Sequence, residues 1–130
     1  MSKATVISLA DAFAALRFVG GRTPESTEAQ LEGAFAVLAD YRDGGIFIGH
    51  YAGDSAWERH ANGDEIVYVL EGETTLILRT GDGDRANTMR AGQMLVVPQN
   101  TWHRFESPKG VKVLTATPQP TDHSVSPPPA

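Results

Sequence analysis

From Gly33 to Thr115 the chain is a succession of short runs rich in β-branched residues, each stopped by Gly, Pro, Asn or Asp. That punctuation leaves little room for helices and predicts an all-β fold, a sandwich or a barrel. Gly33–Tyr41 and Gly45–Tyr51 flank Arg42-Asp43-Gly44, an Asp-Gly turn that predicts a hairpin. Ile66–Leu70, Thr74–Leu78, Met94–Val97 and Val111–Thr115 are the following strands. One short N-terminal helix is expected over Ala10–Phe18, where Leu9, Phe13 and Leu16 recur at spacings of four and three.

Several of these strands are apolar on both faces, whereas a half-exposed strand alternates. One face must line the core and something must cover the other. The N-terminal segment or a second subunit fits that role, so a symmetric homodimer is expected. The end of the chain reads differently. Five of the eight prolines fall within Pro118–Ala130, and proline gives no donor to a sheet ladder. This stretch is expected to be a mobile tail, with His123 in solvent.

Charge and composition exclude several partners. The net charge of −5 lacks the basic footprint that nucleic acid or an anionic membrane needs. No apolar run approaches the roughly 20 residues of a membrane span. Met1-Ser2-Lys3-Ala4-Thr5 does not read as a secretion signal, so a cytoplasmic protein is expected. There is no Cys, which removes thiolate ligands and a thiol nucleophile.

The residues that carry chemistry lie in two stretches. Glu58 and His60 are two apart and share one face of a strand. Beyond the turn Ala61-Asn62-Gly63-Asp64, Glu65 opens a strand whose same face holds Val67 and Val69. A lone carboxylate leading an apolar stripe is expensive to bury unless it meets a cation. His103 shares its face with Thr101 and Phe105. If these strands meet inside a barrel, two imidazoles and two carboxylates converge.

This pattern resembles the two short motifs of the cupin superfamily. Gly53 leads Glu58-Arg59-His60, then four residues, Glu65, six residues and Gly72. Gly92 is followed by five residues, Pro98-Gln99-Asn100, two residues, His103 and, four further on, Ser107. The resemblance covers about Gly44 to Thr117 and implies a double-stranded β-helix, the jelly-roll barrel of the cupins. On it, residues 1–40 are an N-terminal extension with the first strands packing on the barrel, residues 41–117 are the barrel core, and residues 118–130 are the tail. It also implies one divalent transition metal (Fe, Mn, Zn, Ni or Cu) held by Glu58, His60, Glu65 and His103. Glu58 stands where the family has its first histidine. Three readings are open: Glu58 is a fourth ligand; it is a free general base beside a His60, Glu65, His103 triad of the kind found in non-haem iron oxygenases; or the site is metal-poor.

Taken singly, a histidine is more often surface or core than ligand, and His50 reads as a pocket wall or core residue. Tyr51, Trp57 and Phe105 are further candidates for a substrate pocket, as is Trp102. Arg59 and Arg104 alternate with the candidate ligands and should point outward. The resulting expectation is a metal-binding cupin acting on a small molecule by dioxygenase- or isomerase-type chemistry. A non-catalytic small-molecule or metal sensor is the alternative.

Overall fold

The structure, a computed structural model, describes residues 4–130. The first three residues, on which the secretion reading partly rested, lie outside the described residues. Two strands of sixteen residues organise everything else: β5 (Glu65–Thr80) and β8 (His103–Pro118), paired antiparallel. The sequence reads β5 as two strands, Ile66–Leu70 and Thr74–Leu78. The structure makes it one strand bent in the middle. Gly72 (φ 81°) and Gly110 (φ 101°) take left-handed backbone at the bend, and the register with β8 slips there. A Cβ on Gly72 would run into the Gly110 carbonyl, so only glycine lets the two bends nest.

Each half of the bent pair serves a different face of the barrel. The half containing Glu65–Val69 and Val113–Thr117 lies beside β7 (Met94–Val97) and β3 (Gly44–Asp54), which in turn pairs with β2 (Phe35–Tyr41). The predicted Arg42-Asp43-Gly44 turn joins β2 to β3. The half containing Thr75–Leu78 and His103–Glu106 lies beside β6 (Gly83–Arg90) and β4 (Trp57–His60). Alternation then fills the interior: Val67, Val69, Val97 and Val113 from one half meet Leu76, Met89 and Phe105 from the other. Leu76, Val67 and Val69 are completely buried, each contributing about 1.5–3 kcal/mol. This is the double-stranded β-helix expected from the motifs.

Two local expectations change. The helix α1 spans Leu9–Ala14, not Ala10–Phe18. Ser8 caps it, its hydroxyl accepting from the Asp11 amide. It stops because Arg17 is drawn away: its amide donates to Gly33 and its guanidinium to the Glu32 carbonyl. Val19–Arg22 then extends as β1, parallel to β3. The tail expectation is also corrected in part. Thr121–Ser124 forms a strand, β9, with Trp57–His60 of β4 as its antiparallel partner. Proline at 118 and 120 flanks this strand without interrupting it, so the lack of donors is not felt inside the ladder.

The N-terminal segment covers only part of the outer surface, with Phe13 buried and Phe18 packed at a tilt against His50. Ile66, Met94 and Val96, on the paired strands β5 and β7, are left 39%, 56% and 48% exposed. No helix among the described residues is long and apolar enough to cross a membrane.

Candidate metal centre

Glu58 and His60 leave β4 on its inner face, as their spacing of two predicted. His103 begins β8 directly opposite Glu58, and Glu65 begins β5. The site is thus built from the first residues of two long strands and the last of a short one. Ligand atoms of Glu58, His60 and His103 all lie within 4.8 Å of one another, a candidate metal site. Glu65 lies against both rings: His103 Nε2 is 3.0 Å from Oε1 and His60 Nε2 is 3.4 Å from Oε2. His60, Glu65 and His103 are 3%, 3% and 0% exposed.

The outer nitrogens of both rings are committed. His103 Nδ1 lies 2.9 Å from the Thr101 carbonyl, which can only accept, so Nδ1 carries a proton. His60 Nδ1 lies 3.0 Å from the Thr121 hydroxyl, which itself donates to Gln119. The hydroxyl is therefore free to accept from Nδ1. In this tautomer each ring turns an Nε2 lone pair inward. The inward atoms His60 Nε2, His103 Nε2 and Glu65 Oε1 find no hydrogen-bond partner although fully buried. Two lone pairs and a carboxylate facing one another repel unless a proton or a metal ion sits among them.

The donor set fits such an ion. Neighbouring ligands around a metal with bonds of about 2.1 Å lie about 3.0–3.4 Å apart, as the Glu65 oxygens do from the two nitrogens. The remaining Glu65 contact is the Thr117 hydroxyl, which donates to Oε2 at 2.5 Å. Burial pushes the Glu65 carboxyl up, yet the imidazoles of His103 and His60 outweigh it and hold it down at about 2. Burial pushes His103 down, and the Glu65 carboxylate more than reverses this, leaving the ring raised.

In front of the four side chains lies a cavity of about 810 Å³, within the range of small-molecule sites. Glu58, Glu65, Tyr51 and Phe105 line it, together with Phe35 and Arg22. Three of the five pocket candidates are elsewhere. His50 points to the outer surface against Phe18, following the alternation of β3. Trp57 is buried on the opposite side of β4 from Glu58, with the guanidinium groups of Arg79 and Arg104 about 5 Å from its ring. Trp102 likewise lies outside the cavity, under Arg59, which is paired with Asp122. The outward arginines are therefore packed on the tryptophans and not simply solvated. His123 is opposite Glu58 in β9, beside the cavity, and is exposed as expected, although it lies in a strand and not in a free tail. Sequence reasoning missed Thr121 and Thr117 because a hydroxyl partner of a ligand has no motif of its own.

A jelly-roll barrel with two imidazoles and two carboxylates gathered beside an internal cavity defines a cupin-type candidate metal site. The cupin domain model matches residues 48–117, more than half of the chain, and the chain belongs to that family. It is 30% identical over 70 residues to the uncharacterized protein YdbB of Bacillus subtilis, a match covering 54% of this chain and 59% of YdbB. The chain thus spans about three-fifths of the length of that curated relative. It is similar to a cupin-2 domain protein from Shewanella frigidimarina, at 24% identity, with a TM-score of 0.64 over 88% of this chain and 95% of that one. It is also similar to the hydroquinone 1,2-dioxygenase PnpCD, solved with Cd²⁺ and 4-hydroxybenzonitrile. There the identity is 19% and the TM-score 0.55, over 65% of this chain and 63% of that one. At these identities the likeness is one of fold.

Proposed function

We propose that the chain holds one divalent ion with His60, His103, Glu65 and Glu58 and acts on a small organic molecule in the adjoining cavity. The observation that carries this reading is the pair of buried, unpartnered Nε2 atoms facing Glu65, a residue that lines the cavity. A bound divalent ion supplies Lewis-acid chemistry or, if redox-active, a meeting point for O₂ and substrate. The chain supplies the rest. Thr101 and Thr121 hold the two rings in the ligating tautomer, Thr117 orients Glu65, and Phe105 supplies part of the cavity's apolar wall. Glu58 is half-buried and open to the cavity, where its carboxylate either completes the ligand set or takes a proton from substrate. Dioxygenase-type chemistry is the reading we favour over isomerisation, because a hydroquinone dioxygenase shares the fold. The open cavity beside the ligands favours turnover over a closed sensing site.

Elemental analysis of purified wild type beside His60→Ala and His103→Ala tests the metal. Near-stoichiometric metal in wild type and at least a tenfold loss in both variants is expected. Equal content in all three defeats the reading. We also propose a homodimer in which a second copy covers Ile66, Met94 and Val96. Light scattering on the eluting protein should give twice the chain mass, and a monomer at micromolar concentration would refute it.

A further inference from the structure

Arg22 is the one lysine or arginine among the residues lining the cavity. It belongs to β1, outside both motifs, and its position is enforced by the backbone. It pairs in register with Gly53, and a Cβ on Gly53 would collide with the Arg22 carbonyl and amide. The first motif's glycine thus lets β1 press against β3 and delivers the arginine to the cavity. Its guanidinium lies 4.6 Å from the centre of the Tyr51 ring and 5.0 Å from that of Phe35, so its plane is held by two aromatic faces. Among the described residues it takes part in no ion pair, although Glu28, Glu32, Glu58 and Glu65 all line the same cavity. A half-buried guanidinium with its faces packed and no carboxylate partner presents a planar fork of donors to whatever enters. One side of that fork faces the Tyr51 hydroxyl, un-ionised at physiological pH, whose oxygen accepts from Arg22 and leaves the remaining N–H groups for a ligand.

We infer that Arg22 is a specificity-determining residue that binds the carboxylate of a small, flat, apolar-bodied organic acid, whose ring packs among Phe35, Tyr51 and Phe105. This rests on the proposed small-molecule function of the cavity and names its substrate class. Glu58 and Glu65 stand with the two imidazoles, while Arg22 is carried by a different strand, β1, and pairs with none of the cavity's carboxylates. An acid anchored on Arg22 is thereby oriented with its other end free to approach Glu58 and the imidazoles.

The test uses benzoate and its neutral isostere benzamide, titrated calorimetrically into the full chain as purified and again with Zn²⁺ added. Wild type should bind benzoate about tenfold more tightly than benzamide, the range expected of a charge-assisted pair. Arg22→Met should bind both alike while its Zn²⁺ content stays at the wild-type level. Arg22→Gln, also neutral and polar enough to keep its neighbours solvated, carries the same expectation if methionine disturbs the packing on Tyr51. Equal benzoate affinity in wild type and either variant, or no preference for benzoate in wild type, overturns the inference. Failure of wild type to take up Zn²⁺ would instead sink the metal reading, and the benzoate comparison in the purified chain would still stand by itself.

Discussion

Replacing Thr121 by valine keeps shape and β-propensity and removes one hydroxyl. That hydroxyl lies 3.0 Å from His60 Nδ1, in a ring only 3% exposed, and the valine methyl would occupy its place. Without metal the loss is mild, because the His60 proton can sit on Nε2 facing Glu65. Once Nε2 ligates an ion the proton must be on Nδ1, and in the valine variant it is buried without an acceptor. An orphaned buried donor costs about 1–3 kcal/mol. At 1.4 kcal/mol per factor of ten, that is a loss of about 5- to 150-fold in metal affinity, in line with the usual effect of removing a ligand's partner. Competition against a chromophoric chelator measures it, with Zn²⁺ as the probe. Thr121→Ser, which restores the hydroxyl, should bind within about threefold of wild type. A valine variant that binds Zn²⁺ as wild type does, or a serine variant as weak as valine, would refute the reasoning.

Three further expectations follow from the same geometry. Glu58→Gln should weaken Zn²⁺ binding about tenfold or more in the chelator assay; unchanged affinity would leave Glu58 only the role of base. Burial pushes the Tyr51 phenol up to about 12, against the lowering effects of Arg22 and Ser107. The unfolded chain, with its phenol near 10, ionises first, so stability is constant below about pH 10 and falls as pH rises towards 12. Urea unfolding should show wild type losing about 1 kcal/mol more than Tyr51→Phe between pH 9 and pH 11, and parallel curves would contradict the burial argument. Gly72→Ala should destabilise by about 3 kcal/mol or more, from a left-handed backbone and a clash with the Gly110 carbonyl. Gly81→Ala, in open space and ordinary backbone, should fall within about 1 kcal/mol of wild type by the same urea assay.

What was legible in the sequence was local. Period-two alternation put Glu58 with His60 and Glu65 with Val67 on shared faces, and motif spacing brought His103 to them. Turn residues placed the bends at Arg42-Asp43-Gly44 and Asn62-Gly63. The rest depended on long-range pairing. Pro118 and Pro120 made Thr121–Ser124 look like solvated tail, since composition registers the missing donors and not the partner strand waiting at Trp57–His60. Val19–Arg22 was hidden behind a helical periodicity that ends when Arg17 finds the Glu32 carbonyl, fifteen residues away. His50 and Trp57 sit next to the right residues in sequence and on the wrong side of their strands, which alternation alone could have told.

The strand Thr121–Ser124 closes the edge of the barrel beside the candidate metal site, and it emerges during synthesis after the strands that carry His60, Glu65 and His103. Up to that moment His60 can be folded and buried yet still lack the hydroxyl that turns its ring. If the site holds a metal as proposed, its full affinity reports that Thr121–Ser124 has docked on Trp57–His60. A nascent or clipped chain without this strand would lack the hydroxyl partner of His60.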